Sequence, residues 1–366
     1  MIKNIHERMN RWINPKIRDL TAYQVHDATG LIKLDAMENP YTWPTELRQE
    51  WAELIQHIPV NRYPDPQANK LKAQLKLSLQ LPTDAELLLG NGSDELIQML
   101  SLAVAGVEPK TGEERVILSV EPGFVMYRMI ATWCGIEFAS VPLQLPDFTL
   151  NPNKVLKAIK YYRPAIIFIA YPNNPTGNLF DAAAIRHIIH AAPGLVVIDE
   201  AYAPFTDASF IKEIAYYDNL LVLRTLSKMG LAGLRLGFLI GHSEWIRELD
   251  KIRMPYNINV LTQFTTEFAL THKSVFDTQT NQIRAERERL WQNLSQLPGI
   301  IAYPSQANFI LFQVNNAPLV FQQLKTQGIL IKNLHGSHSF LNNCLRVTIG
   351  TAEENDAFLT ALTTIM

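Results

Sequence analysis

The chain has 366 residues, 47% of them hydrophobic and 19% charged, with a formal net charge of −2 at pH 7. That length suits about two domains with a large core, and the charge balance excludes a disordered chain or a broadly basic surface for nucleic acid or anionic membrane. Two cysteines, Cys134 and Cys344, are too few for a disulfide framework and lack metal-ligand spacing, so both read as ordinary thiols.

The first twenty residues, MIKNIHERMNRWINPKIRDL, alternate charged with apolar residues and hold no apolar run of signal-peptide length. No stretch reaches the ~20 apolar residues of a membrane helix, so a soluble cytoplasmic protein is expected. GNGSDELIQML (90–100) opens a helix whose first turn holds Gly92, Ser93 and Asp94. Asp94 suits capping of that helix at least as well as contact with a ligand. Small residues at a helix N-terminus present N–H groups and the positive dipole end to a dianion.

Short apolar runs bounded by turn residues recur at RVILSV (115–120), AIIFIAY (165–171), GLVVIDEAY (194–202) and NLLVLRT (219–225). Most are continuous rather than alternating, which predicts strands buried on both faces, as in a parallel sheet. Between them DAAAIRHIIHAA (181–192) carries Ala184, Ile185, Ile188, Ile189 and Ala192 on one helical stripe, with Asp181 placed to cap. Strand and helix alternate, so the middle of the chain is α/β with right-handed crossovers.

Long helical patterns cover 260–297, followed by GIIAYPSQANFILFQV and CLRVTIG, which read as strands of a second sheet. The expected division is a large domain over 36–271 and a smaller one from 272–366 joined by 1–35. No Pro/Ser-rich linker or low-complexity stretch separates them, so they should pack tightly.

Ligands of parallel α/β sheets sit beyond the carboxyl ends of the strands. Just past the apolar runs stand Phe124, Asn174, Asp199, Tyr202, Thr225, Ser227 and Lys228, and Arg235 follows seven residues on. An amide, a carboxylate, a phenol, an amine, an aromatic face, hydroxyls, a guanidinium and a helix N-terminus would thus meet in one crevice. They suit a flat, charged heteroaromatic that carries a phosphate: the helix start, Thr225, Ser227 and Arg235 for the phosphate, and Asp199 for a protonated ring nitrogen, since a buried carboxylate needs a cation. Lys228, otherwise unexplained between small residues, can then form a Schiff base with an aldehyde once it is desolvated and deprotonated. The cofactor implied is pyridoxal 5′-phosphate.

Competing chemistries lack their residues. GNGSDE misses the third glycine of a dinucleotide fingerprint, and there is no phosphate-loop lysine, no Gly-x-Ser-x-Gly elbow and no His-Glu-x-x-His. His187 with His190, and His335 with His338, have i, i+3 spacing but read as solvent-facing or loop histidines, so no metal is expected.

Almost end to end, the chain resembles the class I/II, fold-type I pyridoxal-phosphate aminotransferases. The shared motifs run from LTAYQV, LIKLDAMENPY and NRYPDP through LGNGSDELI, YPNNPTGN, VVIDEAY, RTLSKMGLAGLRLGF, MPYNIN and ANFIL to CLRVTIGTAEEND. The first three and the last resemble its histidinol-phosphate branch. This resemblance implies a large domain with a mostly parallel sheet, a smaller α/β terminal domain, and amino transfer between L-histidinol phosphate and 2-oxoglutarate in histidine biosynthesis. It implies that Lys228 binds the cofactor and moves the substrate proton, that Asp199 holds the ring nitrogen protonated, that Asn174 and Tyr202 meet the ring oxygen, and that Phe124 stacks on the ring.

The phosphate is then held by the Ser93 and Asp94 backbone, Thr225, Ser227, Arg235, and Tyr63 from the other subunit of a homodimer. Arg346 would take the anion of either substrate, with Tyr23 and Lys332 as further phosphate contacts. Three departures stand out. Met37 replaces a frequent asparagine, Lys332 replaces a frequent arginine, and the run from Lys228 to Arg235 is one residue shorter than in many relatives. Aromatic amino-acid aminotransferases and threonine-phosphate decarboxylases share much of the pattern, and a non-catalytic sensor module is disfavoured by the presence of Lys228, Asp199 and Arg346 together.

Overall fold

A computed structural model describes residues 5–22 and 26–366. The strands are β1 (Ile32–Lys33), β2 (Ala85–Asn91), β3 (Val116–Glu121), β4 (Glu137–Pro142), β5 (Ile166–Ala170), β6 (Leu195–Asp199), β7 (Leu220–Thr225), β8 (Leu236–His242), β9 (Ile300–Ala302), β10 (Phe309–Val314), β11 (Ile329–Leu330), β12 (Lys332–Asn333) and β13 (Cys344–Thr348). The four apolar runs of the middle chain are β3, β5, β6 and β7, each within two residues of the predicted bounds at its start.

Seven strands make the main sheet in the order β2-β8-β7-β6-β5-β3-β4. The pairs from β4 to β7 are parallel, and β8 alone runs against both neighbours. Every residue of β5 and β6 is buried, because helices cover both faces of the sheet and leave no side of these strands to water. On one face Leu96, Ile97 and Leu100 of the Ser93–Ala103 helix pack with Ile117, Phe168 and Leu223. On the other, Ile185, Ile188 and Ile189 of the Ala182–Ala191 helix pack with Ile167, Val196 and Val222. Asp181 caps this second helix, accepting from the Ala183 N–H at 3.0 Å as its position predicts.

A second sheet, β12-β13-β10-β9, is antiparallel and shares a core with the Lys273–Gln296, Ala317–Thr326 and Ala352–Ile365 helices through Leu290, Phe309, Phe312, Leu324 and Phe358. β1 pairs in parallel with β11, and Leu34 joins this second core. The two short helices before it, Ile5–Trp12 and Pro15–Arg18, bury no residue, and Pro15–Arg18 lies beside the Val125–Trp133 helix of the main sheet.

This topology gathers polar residues at one edge. The chain leaves the sheet at the carboxyl ends of β3, β5, β6 and β7, and β8 enters it at the same edge because it is reversed. Arg235, the residue before β8, therefore sits beside Asn91 and Gly92 at the end of β2: Asn91 pairs with Leu236 in the register.

Candidate active site

Along that edge lies a cavity walled by Ser93, Asp94, Phe124, Asn174, Asp199, Tyr202, Thr225, Ser227, Lys228 and Arg235, together with Met37, Ala170 and Ala201. Ten residues singled out by position in the sequence are thus brought together.

At one end the donors for an anion converge. Thr225 Oγ1 lies 2.9 Å from Ser227 Oγ and 3.1 Å from the Leu236 carbonyl, and Arg235 Nη1 is 3.5 Å from Ser227 Oγ. Two glycines make the approach possible. Gly92 has φ +80°, and a Cβ there would stand 2.6 Å from Arg235 Nη2. A Cβ on Gly237 would meet the Gly92 carbonyl carbon at 2.5 Å and the Ser93 nitrogen at 2.6 Å. Only without those atoms can the helix start and the guanidinium share one small space. The glycine conformation also settles the helix cap: Gly92 is the N-cap and Asp94 the second helical residue. The expectation that Asp94 caps is therefore corrected. Its Oδ1 is buried without a hydrogen-bond partner, and burial raises its pKa above the usual carboxylate range against the pull of Arg235 and Lys228.

At the other end Asp199 is 4% exposed. Its Oδ2 accepts from the Tyr127 hydroxyl at 2.7 Å and its Oδ1 from the Ala201 N–H at 3.0 Å. Burial pushes its pKa up to about 6 in spite of those two donors. The adjacent Glu200 is held by Arg224 at 2.7 Å on the far side, so of this acidic pair Asp199 is the one that faces the cavity.

Lys228 is half-buried between these ends, its amine 3.2 Å from the Ala36 carbonyl and 5.9 Å from the Tyr202 ring centre. Burial, and then the charges of Arg346 and Arg235, bring its pKa down to about 8, which puts the neutral amine within reach near neutral pH. Asn174 Nδ2 is 3.1 Å from the Tyr202 hydroxyl, and its Oδ1 accepts from Arg346 Nη1 at 2.6 Å. Arg346 also donates to the Asp35 carbonyl at 3.1 Å and lies over the Phe309 ring, which carries the site from the main sheet to the second one.

The model of the family "Aminotransferase class I and II" matches residues 29–362. The chain belongs to the class I and II aminotransferases. It is 54% identical to histidinol-phosphate aminotransferase 2 of Nitrosococcus oceani over 97% of this chain and 98% of that protein. With the histidinol-phosphate aminotransferase of Chromobacterium violaceum the identity is 48% over 96% of each. Among solved structures, the histidinol-phosphate aminotransferase of Sinorhizobium meliloti in complex with pyridoxal 5′-phosphate aligns with a TM-score of 0.84 at 21% identity, covering 97% of both chains. That of Clostridium acetobutylicum aligns at 0.82 and 24% identity, over 92% of this chain and 99% of its own. Both share the fold.

Pyridoxal 5′-phosphate is the cofactor of this aminotransferase family, and the cavity suits it. The glycine-lined cradle beside Arg235 has the donors a phosphate would need, the buried Asp199 has no cation among its hydrogen-bond partners in the described residues, and the half-buried Lys228 lies between them.

Lys332 and Tyr63 are not among the residues that wall the cavity. Lys332 of β12 stands directly opposite Arg346 of β13 in the antiparallel register, so the two side chains share one face of the sheet. Tyr63 is 80% exposed and stacks on Tyr256 with ring centres 4.4 Å apart. Tyr23 lies outside the described residues. Met37 lines the cavity in the left-handed region, φ +54°, held by its N–H to Thr348 Oγ1 and by Asn308 Nδ2 to its carbonyl, each at 3.0 Å. Asparagine tolerates that conformation better than methionine, so the chain carries backbone strain at Met37. The residue that sequence reasoning missed is Tyr127. The available signal was its i, i+3 spacing from Phe124, which puts both rings on one face of a helix.

Proposed function

We propose that this aminotransferase exchanges the amino group between L-histidinol phosphate plus 2-oxoglutarate and imidazole-acetol phosphate plus L-glutamate, a step of L-histidine biosynthesis. The observation that carries the substrate is the facing pair Lys332 and Arg346 beside Asn174. One cation suffices for the carboxylate of glutamate, whereas a phosphate ester in the same place carries more charge and gains from two. The full-length relatives at 54% and 48% identity, both histidinol-phosphate aminotransferases, support the same reading.

When bound, the cofactor supplies an aldehyde for an amine and a ring that withdraws electrons from the substrate's α-carbon. Lys228 would hold the cofactor and move the proton at the substrate's α-carbon. Asp199 would hold the proton of the ring nitrogen, a cation that its burial otherwise denies it. Asn174 and Tyr202 would bind the ring oxygen and Phe124 the ring, and the Ser93 and Asp94 N–H groups with Thr225, Ser227 and Arg235 would hold the phosphate. Tyr23, Lys332 and Arg346 orient the substrate.

The reading extends to a cytoplasmic homodimer with a large domain over 36–271 and a small one over 1–35 and 272–366. An exposed Tyr63–Tyr256 stack is the kind of surface a second copy covers, and Tyr63 of the partner subunit would complete the phosphate site. No described helix is long and apolar enough to cross a membrane.

The test is an absorbance titration of the holoprotein. L-Histidinol phosphate should bleach the cofactor's visible band and 2-oxoglutarate should restore it, with no carbon dioxide released. A band that stays unmoved would remove the substrate and leave the cofactor standing, and a response to phenylalanine alone would make it an aromatic aminotransferase.

A further inference from the structure

Tyr127 is 1% exposed, in the first turn of the Val125–Trp133 helix. Its ring is stacked almost flat on Phe168 of β5, centres 4.8 Å apart and planes at 9°, and meets the Phe124 ring edge-on at 5.4 Å. These contacts leave the ring no other orientation, and they aim its hydroxyl at Asp199 Oδ2, 2.7 Å away. One helical turn therefore ties a cavity-facing aromatic to the buried carboxylate.

We propose that Tyr127 is a positioning residue for Asp199: its fixed phenol donor orients the carboxylate toward the cavity and keeps it anionic, ready for the cofactor's ring nitrogen. The inference rests on the ring-nitrogen role given to Asp199 above.

Burial and two neighbouring carboxylates oppose the ionisation of Asp199, although Lys228 and Arg235 line the same cavity. Asp94 of the Ser93–Ala103 helix and Glu200 at the end of β6 repel its charge, while the Tyr202 hydroxyl faces Asn174. Tyr127 and the Ala201 N–H are the donors that counter this. The phenol cannot compete for the negative charge, since burial and the nearby Asp199 raise its own pKa well above the usual value.

The experiment titrates pyridoxal 5′-phosphate into the apoprotein across pH 5–8 and follows binding by quenching of intrinsic fluorescence, independent of turnover. Wild-type affinity should rise as pH passes about 6, where Asp199 ionises. In Tyr127→Phe, which keeps both ring contacts, that inflection should move up by about one to two pH units, the worth of a hydrogen bond to a charged group. As a variant of the same fold, 3,5-difluorotyrosine at position 127 alone, a stronger donor, should move it down. In Asp199→Asn the inflection should vanish.

If Tyr127→Phe or the fluorinated residue weakens binding at every pH alike, with the inflection in place, Tyr127 merely packs and the inference fails. If the inflection survives in Asp199→Asn, the role of Asp199 fails first, and this inference with it.

Discussion

The floor of the cavity and its rim are built in different ways. The floor, Ser93 to Arg235, comes from strand ends of one sheet, and the groups at its centre are buried and bonded within the site: Thr225 with Ser227, Asp199 with Tyr127, Asn174 with Tyr202. The rim is assembled from distant pieces of chain: Met37 near the start, and Lys332 and Arg346 near the end. Floor geometry is set by strand register, which a buried parallel sheet leaves little freedom to change. Rim geometry depends on how the second sheet sits against the first, joined here by Arg346 to Asn174 and to the Asp35 carbonyl. A rigid floor suits a group that stays bound, and a composite rim suits substrates that come and go.

The sharpest break in this contrast is at Lys228. Lys228→Ala should lower turnover by about 10⁴-fold or more and abolish the visible band, while circular dichroism stays unchanged, because the residue is half-buried and lies after a completed strand. Turnover near the wild-type rate would end the assignment of the floor.

At the rim, Arg346→Ala should raise KM for both substrates by roughly a hundredfold, since it leaves an anion facing an apolar site and frees Asn174. Lys332→Ala should raise KM for histidinol phosphate by about tenfold and change that for glutamate little. Equal effects of Lys332→Ala on both would show that the pair does not distinguish a phosphate from a carboxylate.

The smallest effect returns to the floor. Gly92→Ala pushes a methyl against Arg235 Nη2, the movable end of a long side chain, and strains a residue at φ +80°. Cofactor affinity should fall about tenfold and stability by about 1 kcal/mol, read by fluorescence titration and urea unfolding. An unchanged affinity would mean Arg235 holds the phosphate from another position.

Much of the floor was legible because each apolar run stops within about four residues of a polar group that a buried strand cannot accommodate. Asp199 after LVVI, Asn174 after IIFIAYPN and Lys228 after LLVLRTLS follow from that rule alone. The rule says nothing about what side chains meet across elements. Nor does it decide the cap of the Ser93–Ala103 helix, for which Asp94 suited as well as for a ligand and which Gly92 takes, and it passed over Tyr127, whose partner lies 72 residues away.

By itself the sequence determined the α/β class, four central strands of the main sheet, and which groups of the floor stand at their ends. These follow from local hydrophobic pattern and turn chemistry, which act over a few residues. Only the tertiary structure decided that β8 runs backwards, so that Arg235 reaches Gly92 at the start of the Ser93–Ala103 helix, and that Lys332 faces Arg346. It also decided that Tyr127 rather than a cation meets Asp199 within the chain. Those outcomes depend on strand order, register and packing between segments far apart in the chain, where no short-range pattern carries information.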